Sequence, residues 1–402
     1  MAVASFLRRW FQFAFFAFAL FVPFSIAGVN IAFGVGALAW VAAAVAQRRG
    51  WWVRERSLPL LRDPLVLAAV LMVVAALPSV LNSENASRAA RDWASYWKLV
   101  VYAWVAANVL AARARELVFW TLAVSSTLAC VLALVQSTGG VDLGAIHIPG
   151  RYRAGGTLYT MTFAGIIYQL IVLNCALLLT HAMSARRRLF LAATVAIQLA
   201  AIMFTMTRGA WLALAAGLVA VCVMARNKVA VGAAIALVSA LAVFAVTSHK
   251  GRSIPEMVRS GLDIDASTRV VLWDIAWDLF RENPVFGVGM GDFSIEADRR
   301  LAGRRVTTTV DAHNIYLQVL STRGLVGFLP FAWLWFVLLR ELFRSKQRLA
   351  RGSLDYGYVV GAIATTVAVL VGGLTELNID DGEVLMAFVL VIGLARARDY
   401  SP

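Results

Sequence analysis

The sequence is short of charge, of histidine and of cysteine. Only 15% of its 402 residues are Asp, Glu, Lys or Arg, while 61% are hydrophobic. A water-soluble domain carries about a quarter charged and about half apolar residues, so an ordinary soluble globule is excluded. The three cysteines, Cys130, Cys175 and Cys222, all fall inside apolar runs and show no Cys-x-x-Cys spacing, which indicates neither a disulfide framework nor a zinc site. The strict alternation of a barrel strand is missing as well, and no period marks a repeat array. Acidic residues are fewer than basic ones, 23 against 37, for a formal charge of +14. No recognisable nucleic-acid module accompanies that excess, so nucleic acid is set aside as a partner.

What is present is a series of apolar runs, near 10–28, 29–46, 63–81, 96–111, 116–137, 157–181, 189–206, 209–225, 229–248, 324–341, 357–375 and 383–396. At about 1.5 Å per residue, runs of this kind cross a hydrocarbon core of about 30 Å as helices. The expectation is an all-α polytopic membrane protein with about 12 transmembrane helices. The first run follows the basic stretch "FLRRW" but "FSIAG" is a poor cleavage site and a second run begins at once, so it is expected to stay as an anchor. The short basic loops, among them "QRRGWWVRERSLPLLR", "AARARE", "SARRR" and "RELFRSKQRLAR", fall on one side if the N-terminus is cytoplasmic. An even number of spans then puts both termini in the cytoplasm.

One loop breaks the pattern of short connections. The chain divides into spans one to nine over 1–248, a large outer loop over 249–312, and a returning segment with the last three spans over 313–402. The three parts read as one integrated membrane domain. The loop holds Arg259, Arg269, Arg281, Arg299, Arg300, Arg304 and Arg305 among its basic residues. Long loops are largely exempt from the positive-inside rule. Within it, Val270, Trp273, Trp277 and Phe280 recur at helical spacing opposite Asp274, Asp278 and Arg281, with Ser267 or Thr268 available as a cap and Pro284 beyond. This predicts an amphipathic helix whose aromatic face packs on the bundle or lies on the membrane interface, packing being favoured. Arg269 in its first turn works against the helix dipole. The run "FGVGMGDF" that follows lacks the strand of a nucleotide-binding unit and reads as a flexible turn.

His313 stands at the threshold of the tenth run in "AHNIYLQVLSTRGLVG", followed by Asn314 and then by Gly324 and Gly327. Three islands, "TMTRGAWLAL" at 205–214, "STRVVLWDIAWDLFRENPVFGVGMGDF" at 267–293 and this one at 312–327, resemble the O-antigen ligase and polymerase superfamily of bacterial inner-membrane glycosyltransferases. The His-Asn, nine residues, Gly, two residues, Gly form is similar to the ligase signature. The resemblance implies transfer of a glycan from undecaprenyl diphosphate to lipid A–core oligosaccharide, on the periplasmic face, in lipopolysaccharide biosynthesis. It also places the large loop in the periplasm.

Such a reaction needs a base near neutrality for a sugar hydroxyl, and His313 suits that task. It also needs fixed cations for a diphosphate leaving group. By analogy with the family, Arg208 and Arg269 are assigned to the donor diphosphate, because arginine grips phosphate oxygens bidentately and stays charged. Arg153 in "RYRAGG" and Arg323 are supporting candidates, and Asn314 either orients the imidazole or caps a short helix. Tyr316 and Gln318 are able to position His313 or a sugar. The acidic group Glu376, Asp380, Asp381 and Glu383 has no strict ligand spacing and reads as a solvated turn, so no metal or other cofactor is expected, and the displacement is expected to be inverting. The same superfamily includes polymerases and pilin glycosyltransferases. A transporter with about twelve spans is the reading outside enzymes.

Overall fold

A computed structural model describes residues 2–46, 63–97, 112–137, 155–226, 266–301, 311–377 and 380–396. The expected spans over 229–248 and most of 96–111, and the candidate Arg153, lie outside the described residues.

The described chain is helical. Helices α1 (Ala2–Phe21) and α2 (Ile26–Ala46) form a hairpin. Its turn falls at residues 22–25, a few residues before the boundary that hydropathy suggests. Helix α3 (Pro64–Ala75) starts on Asp63, whose side chain accepts from the Leu65 amide, with proline at the first helical position. Both features satisfy or remove amides that have no partner within the helix. Short helices α4 (Leu77–Leu81) and α5 (Ala86–Ala94) continue from it. The bundle is completed by α6 (Ala112–Ser137), α7 (Thr160–Thr180), α8 (Ala185–Phe204), α9 (Arg208–Ala225), α12 (Ile315–Gln347), α13 (Leu354–Gly372) and α14 (Gly382–Arg396). The large loop contributes α10 (Ala266–Glu282) and α11 (Phe293–Arg300). Seven stretches among the described residues are long and apolar enough to cross a membrane: Pro64–Leu81, Arg115–Ser137, Thr160–Thr180, Ala185–Phe204, Arg208–Ala225, Ile315–Gln347 and Leu354–Gly372.

Helices α7 and α13 are the centre, packed on each other and on α9. Lipid is as apolar as leucine, so close packing and internal polar bonds hold such helices together rather than a hydrophobic drive. Gly217 of α9 shows this directly: a Cβ there would lie 2.5 Å from Val172 of α7 and 3.0 Å from Ala368 of α13. A buried polar chain links α7 to two further helices, α8 and α6. Asn174 donates to Gln198 at 3.0 Å, and Gln198 donates to Ser126 at 2.9 Å.

The two ends of the bundle differ. At the N-terminal end of α13, Asp355 pairs with buried Arg115 at 2.7 Å, and Arg396 at the end of α14 pairs with Asp63 at 3.2 Å. At the other end converge the turn between α8 and α9, the start of α10, the segment 311–327 and the turn after α13.

Helix α10 corrects the expected packing. Its buried face is Leu272, Ile275, Ala276 and Leu279, which join Phe293, Ala297, Leu301 and Ala312 in a small core. Val270 and Trp277 of the aromatic stripe are instead 51% and 47% exposed. Two stripes at the same period lie side by side on this helix, and the aliphatic one is the stripe that meets α12. Ser267 and Thr268 fall inside the helix, which begins at Ala266.

Candidate active site

His313 sits on a turn that its neighbours hold in place. Its φ of 46° lies in the left-handed region, a placement that costs about 1–3 kcal/mol for a residue with a side chain and persists only where the surroundings enforce it. Here the His313 amide donates to Asp311 at 2.7 Å, and the Ala312 amide donates to Gln318 Oε1 at 2.8 Å. On the far side Asn314 caps α12, its Oδ1 accepting from the amides of Tyr316 and Leu317 at 3.0 and 3.1 Å. Its Nδ2 donates to the Leu374 carbonyl at 3.1 Å, and the Ile315 amide donates to Gly373 at 2.8 Å. Of its two readings from sequence, Asn314 therefore takes the capping one. Gln318 positions the histidine turn, whereas Tyr316 spends its hydroxyl on the Leu370 carbonyl.

The imidazole faces two carboxylates through one nitrogen. His313 Nδ1 is 3.5 Å from Asp311 Oδ1 and 3.7 Å from Glu376 Oε2, with 13% of the His313 side chain exposed. The second oxygen of Glu376 takes Arg269 Nη2 at 2.7 Å. One buried carboxylate thus joins the start of α10 to the histidine turn. Burial pushes the imidazole pKa down, but the Glu376 and Asp311 carboxylates outweigh it, with Arg269 opposing them, and hold it above the usual histidine value. For Glu376 burial acts upward, and His313 and Arg269 together keep the carboxyl below its usual value. Glu376 therefore stays ionised at neutral pH.

The α8–α9 turn reaches the same carboxylate. Gly209 lies so close that a Cβ there would be 2.6 Å from Thr375 Oγ1 and 3.0 Å from Glu376 Cγ. The positive end of the α9 dipole consequently meets a negative charge, a stabilising arrangement. Arg208, the preceding residue, is exposed. Among the described residues it makes no ion pair.

Arg323 goes elsewhere. It is buried, its guanidinium carbon lies 5.4 Å from the Tyr96 ring centre, and its Nε has no hydrogen-bond partner among the described residues. The reason is the shape of α12. The Tyr316 and Phe331 rings are 6.4 Å apart, although fifteen residues of straight helix would separate them by about 22 Å. At Gly324, φ 59° and ψ −162° break the helix, so that 315–323 and 325–347 fold back as two arms. Arg323 at the bend lines an apolar groove between α3, α12 and α14, walled by Met72, Phe331, Leu334, Trp335 and Phe388.

The glycine run is a socket for that bend rather than a flexible turn. Val288 and Gly289 donate to the carbonyls of Ser321 and Thr322 at 2.9 and 3.2 Å, and Leu325 and Val326 donate to Pro284 and Val285 at 2.9 and 3.1 Å. Gly287, at φ 70°, would put a Cβ 2.3 Å from the Thr322 carbonyl carbon, so only glycine fits.

The structure therefore brings Arg269 and His313 to one carboxylate and packs Gly209, the residue after Arg208, against it, with Asn314 as a scaffold residue and Arg323 on a neighbouring groove. Sequence reasoning missed Glu376 and Asp311. Glu376 belonged to a group read as a solvated turn, yet it is only 5% exposed. Asp311 sits two residues before the histidine, and that proximity was the one available signal.

The fold and these residues define a polytopic helical membrane protein with a charged, partly buried site at one end of its bundle. Residues 192–332 match the family model described as O-Antigen ligase. An O-antigen ligase of Salmonella typhimurium is 27% identical over 161 residues, which cover 38% of this chain and 40% of that protein. In this segment the chain is similar to the O-antigen ligase family, and it spans less than half the length of the curated relative it matches. Arg208, Arg269, His313, Asn314 and Arg323 lie within the family match, and Glu376 lies beyond it.

Proposed function

We propose that the protein is an O-antigen ligase of the bacterial inner membrane, with both termini cytoplasmic and the site on the periplasmic face. It transfers glycan from undecaprenyl diphosphate to lipid A–core oligosaccharide. The observation that carries this reading is a buried carboxylate, Glu376, bound by Arg269 and facing His313, with the exposed Arg208 on the adjoining turn. A base and fixed cations are what glycosyl transfer from a diphosphate requires.

In the proposed step an acceptor hydroxyl attacks the anomeric carbon of the donor sugar. The new carbon–oxygen bond forms as the bond to the diphosphate oxygen breaks. The hydroxyl proton passes to His313 Nε2, and the bonding pair leaves with undecaprenyl diphosphate. Arg208 and Arg269 stabilise the charge that develops on the leaving oxygens, which is worth more in the transition state than in the ground state. A single displacement inverts the anomeric configuration, and the two arginines supply the neutralising charge without a metal ion. The largely apolar groove beside α12 is of suitable character for the first part of a polyprenyl tail.

The test is purified protein in lipid, supplied with undecaprenyl diphosphate-linked glycan and lipid A–core. Glycan appearing on lipid A–core, with inverted configuration and undiminished in chelator, is the expected result. Longer chains still attached to undecaprenyl diphosphate would make the protein a polymerase instead. Glycan on a pilin would likewise replace the acceptor named here.

A further inference from the structure

Glu376 has no part in the reaction as family resemblance frames it, and it lies outside the family match. Its position is nonetheless specific. It is buried at the end of α13, with Oε1 on Arg269 Nη2 at 2.7 Å and Oε2 at 3.7 Å from His313 Nδ1. A carboxylate in such a place costs free energy unless its partners satisfy it. Here the partners are the two groups assigned to opposite halves of the reaction.

We infer that Glu376 is the positioning residue of the site: it turns His313 Nδ1 inward, leaves Nε2 to the acceptor, and couples the state of Arg269 to the strength of the base. The inference rests on the ligase reading for its roles, but the coupling itself is a property of the protein without substrate. In the resting site Glu376 divides its charge between a guanidinium and an imidazole. When a diphosphate draws Arg269 away, the carboxylate faces the imidazole alone and the imidazolium form is favoured further. His313 then becomes a stronger proton acceptor only once the donor is seated. The same logic of a carboxylate behind a histidine fixes the tautomer and orientation of the base in hydrolase triads.

The charged groups that face the imidazole are Asp311 on its own turn, Glu376 after α13 and Arg269 on α10. Arg269 is therefore a second handle on the same coupling. Its Nε is buried without a hydrogen-bond partner among the described residues.

The experiment follows ethoxycarbonylation of His313 by diethyl pyrocarbonate in purified protein, read by peptide mass across pH. Neutral imidazole is the reactive form, so the midpoint reports its protonation without donor or acceptor. Glu376→Gln is expected to move the midpoint to lower pH and to cut kcat by at least about tenfold, with donor KM changed much less. Glu376→Asp, which restores the charge at shorter reach, recovers part of both. Arg269→Gln is expected to move the midpoint the other way, and it remains informative if Glu376→Gln does not fold. Midpoints that stay at the wild-type pH in the folded variants overturn the inference. Absence of transfer to lipid A–core by wild-type protein would overturn the ligase reading and leave the coupling result standing.

Discussion

Gly324 lies against the backbone of Val285, so that a Cβ added at Gly324 would be 2.3 Å from the Val285 carbonyl oxygen. The two residues belong to different parts of the protein, the bend of α12 and the end of the α10 segment. Their contact joins the large loop to the membrane bundle.

Gly324→Ala is accordingly expected to be severe. The backbone there occupies a region open essentially to glycine alone, and the clash is with backbone that has no rotamer to relieve it. A loss of more than about 2 kcal/mol is expected, measured as a lower midpoint of thermal unfolding in detergent and a lower level in the membrane. Gly352→Ala, where a Cβ meets nothing within 4 Å, is the control: its φ of 84° carries strain but no clash, so its effect should be smaller. Equal effects in the two variants would refute the packing argument.

Asn314 is expected to act through structure. Asn314→Ala removes an N-cap worth about 1 kcal/mol and the tie to Leu374, and it loosens the turn that holds His313. Asn314→Asp retains the cap but loses the donor to Leu374, so stability should recover by more than half. Transfer activity that falls with Asn314→Ala while unfolding is unchanged would mean that the residue touches substrate.

Arg208 is expected to show its role in donor binding alone. A charge-assisted bond to phosphate is worth about 1.5–3 kcal/mol, so Arg208→Ala should weaken donor binding or turnover by about 10- to 100-fold. Because the residue is exposed and makes no ion pair among the described residues, the unfolding midpoint should stay where it is. Arg208→Lys should restore part of the loss, since a point charge replaces the planar fork. Wild-type transfer in Arg208→Ala would remove this residue from the site.

The pH dependence has a definite sign. Folding holds His313 above its ordinary value, so its stabilising contribution is complete at pH below that ordinary value and is lost as pH rises through the folded one. Glu376 is held below its ordinary value. Its contribution is present above the normal carboxylate range and is lost as pH falls through the folded value. Thermal stability is expected to decline on both sides of a plateau, and His313→Ala to abolish the alkaline arm. Transfer should rise with pH toward the raised midpoint, because a base acts in its neutral form. An alkaline arm that survives in His313→Ala would assign it to another group.

Much of this was legible in the residues themselves. Apolar runs announced α3, α6–α9, α13 and α14, and His313 with Arg269 stood out by motif and by an arginine misplaced at a helix start. The partner of both did not stand out. Glu376 follows His313 by more than sixty positions in a turn with three other carboxylates, and nothing in a linear pattern separates a buried acid from solvated ones. Periodicity misdirected the reading of α10, where two stripes share one period and only the neighbour decides which is covered. The reversal at Gly324 was visible as a break but not as a fold-back, since one glycine marks a stop without giving the direction that follows.

The four backbone bonds between 284–289 and 321–326 have a bearing on how this site tolerates change. They act as a splint, and the register of Arg269 over Glu376 is inherited from them. A residue inserted between Pro284 and Gly289 would carry α10 out of step and lift the arginine from its carboxylate. The charged residues would all remain in the sequence, and their arrangement would be lost by misalignment alone.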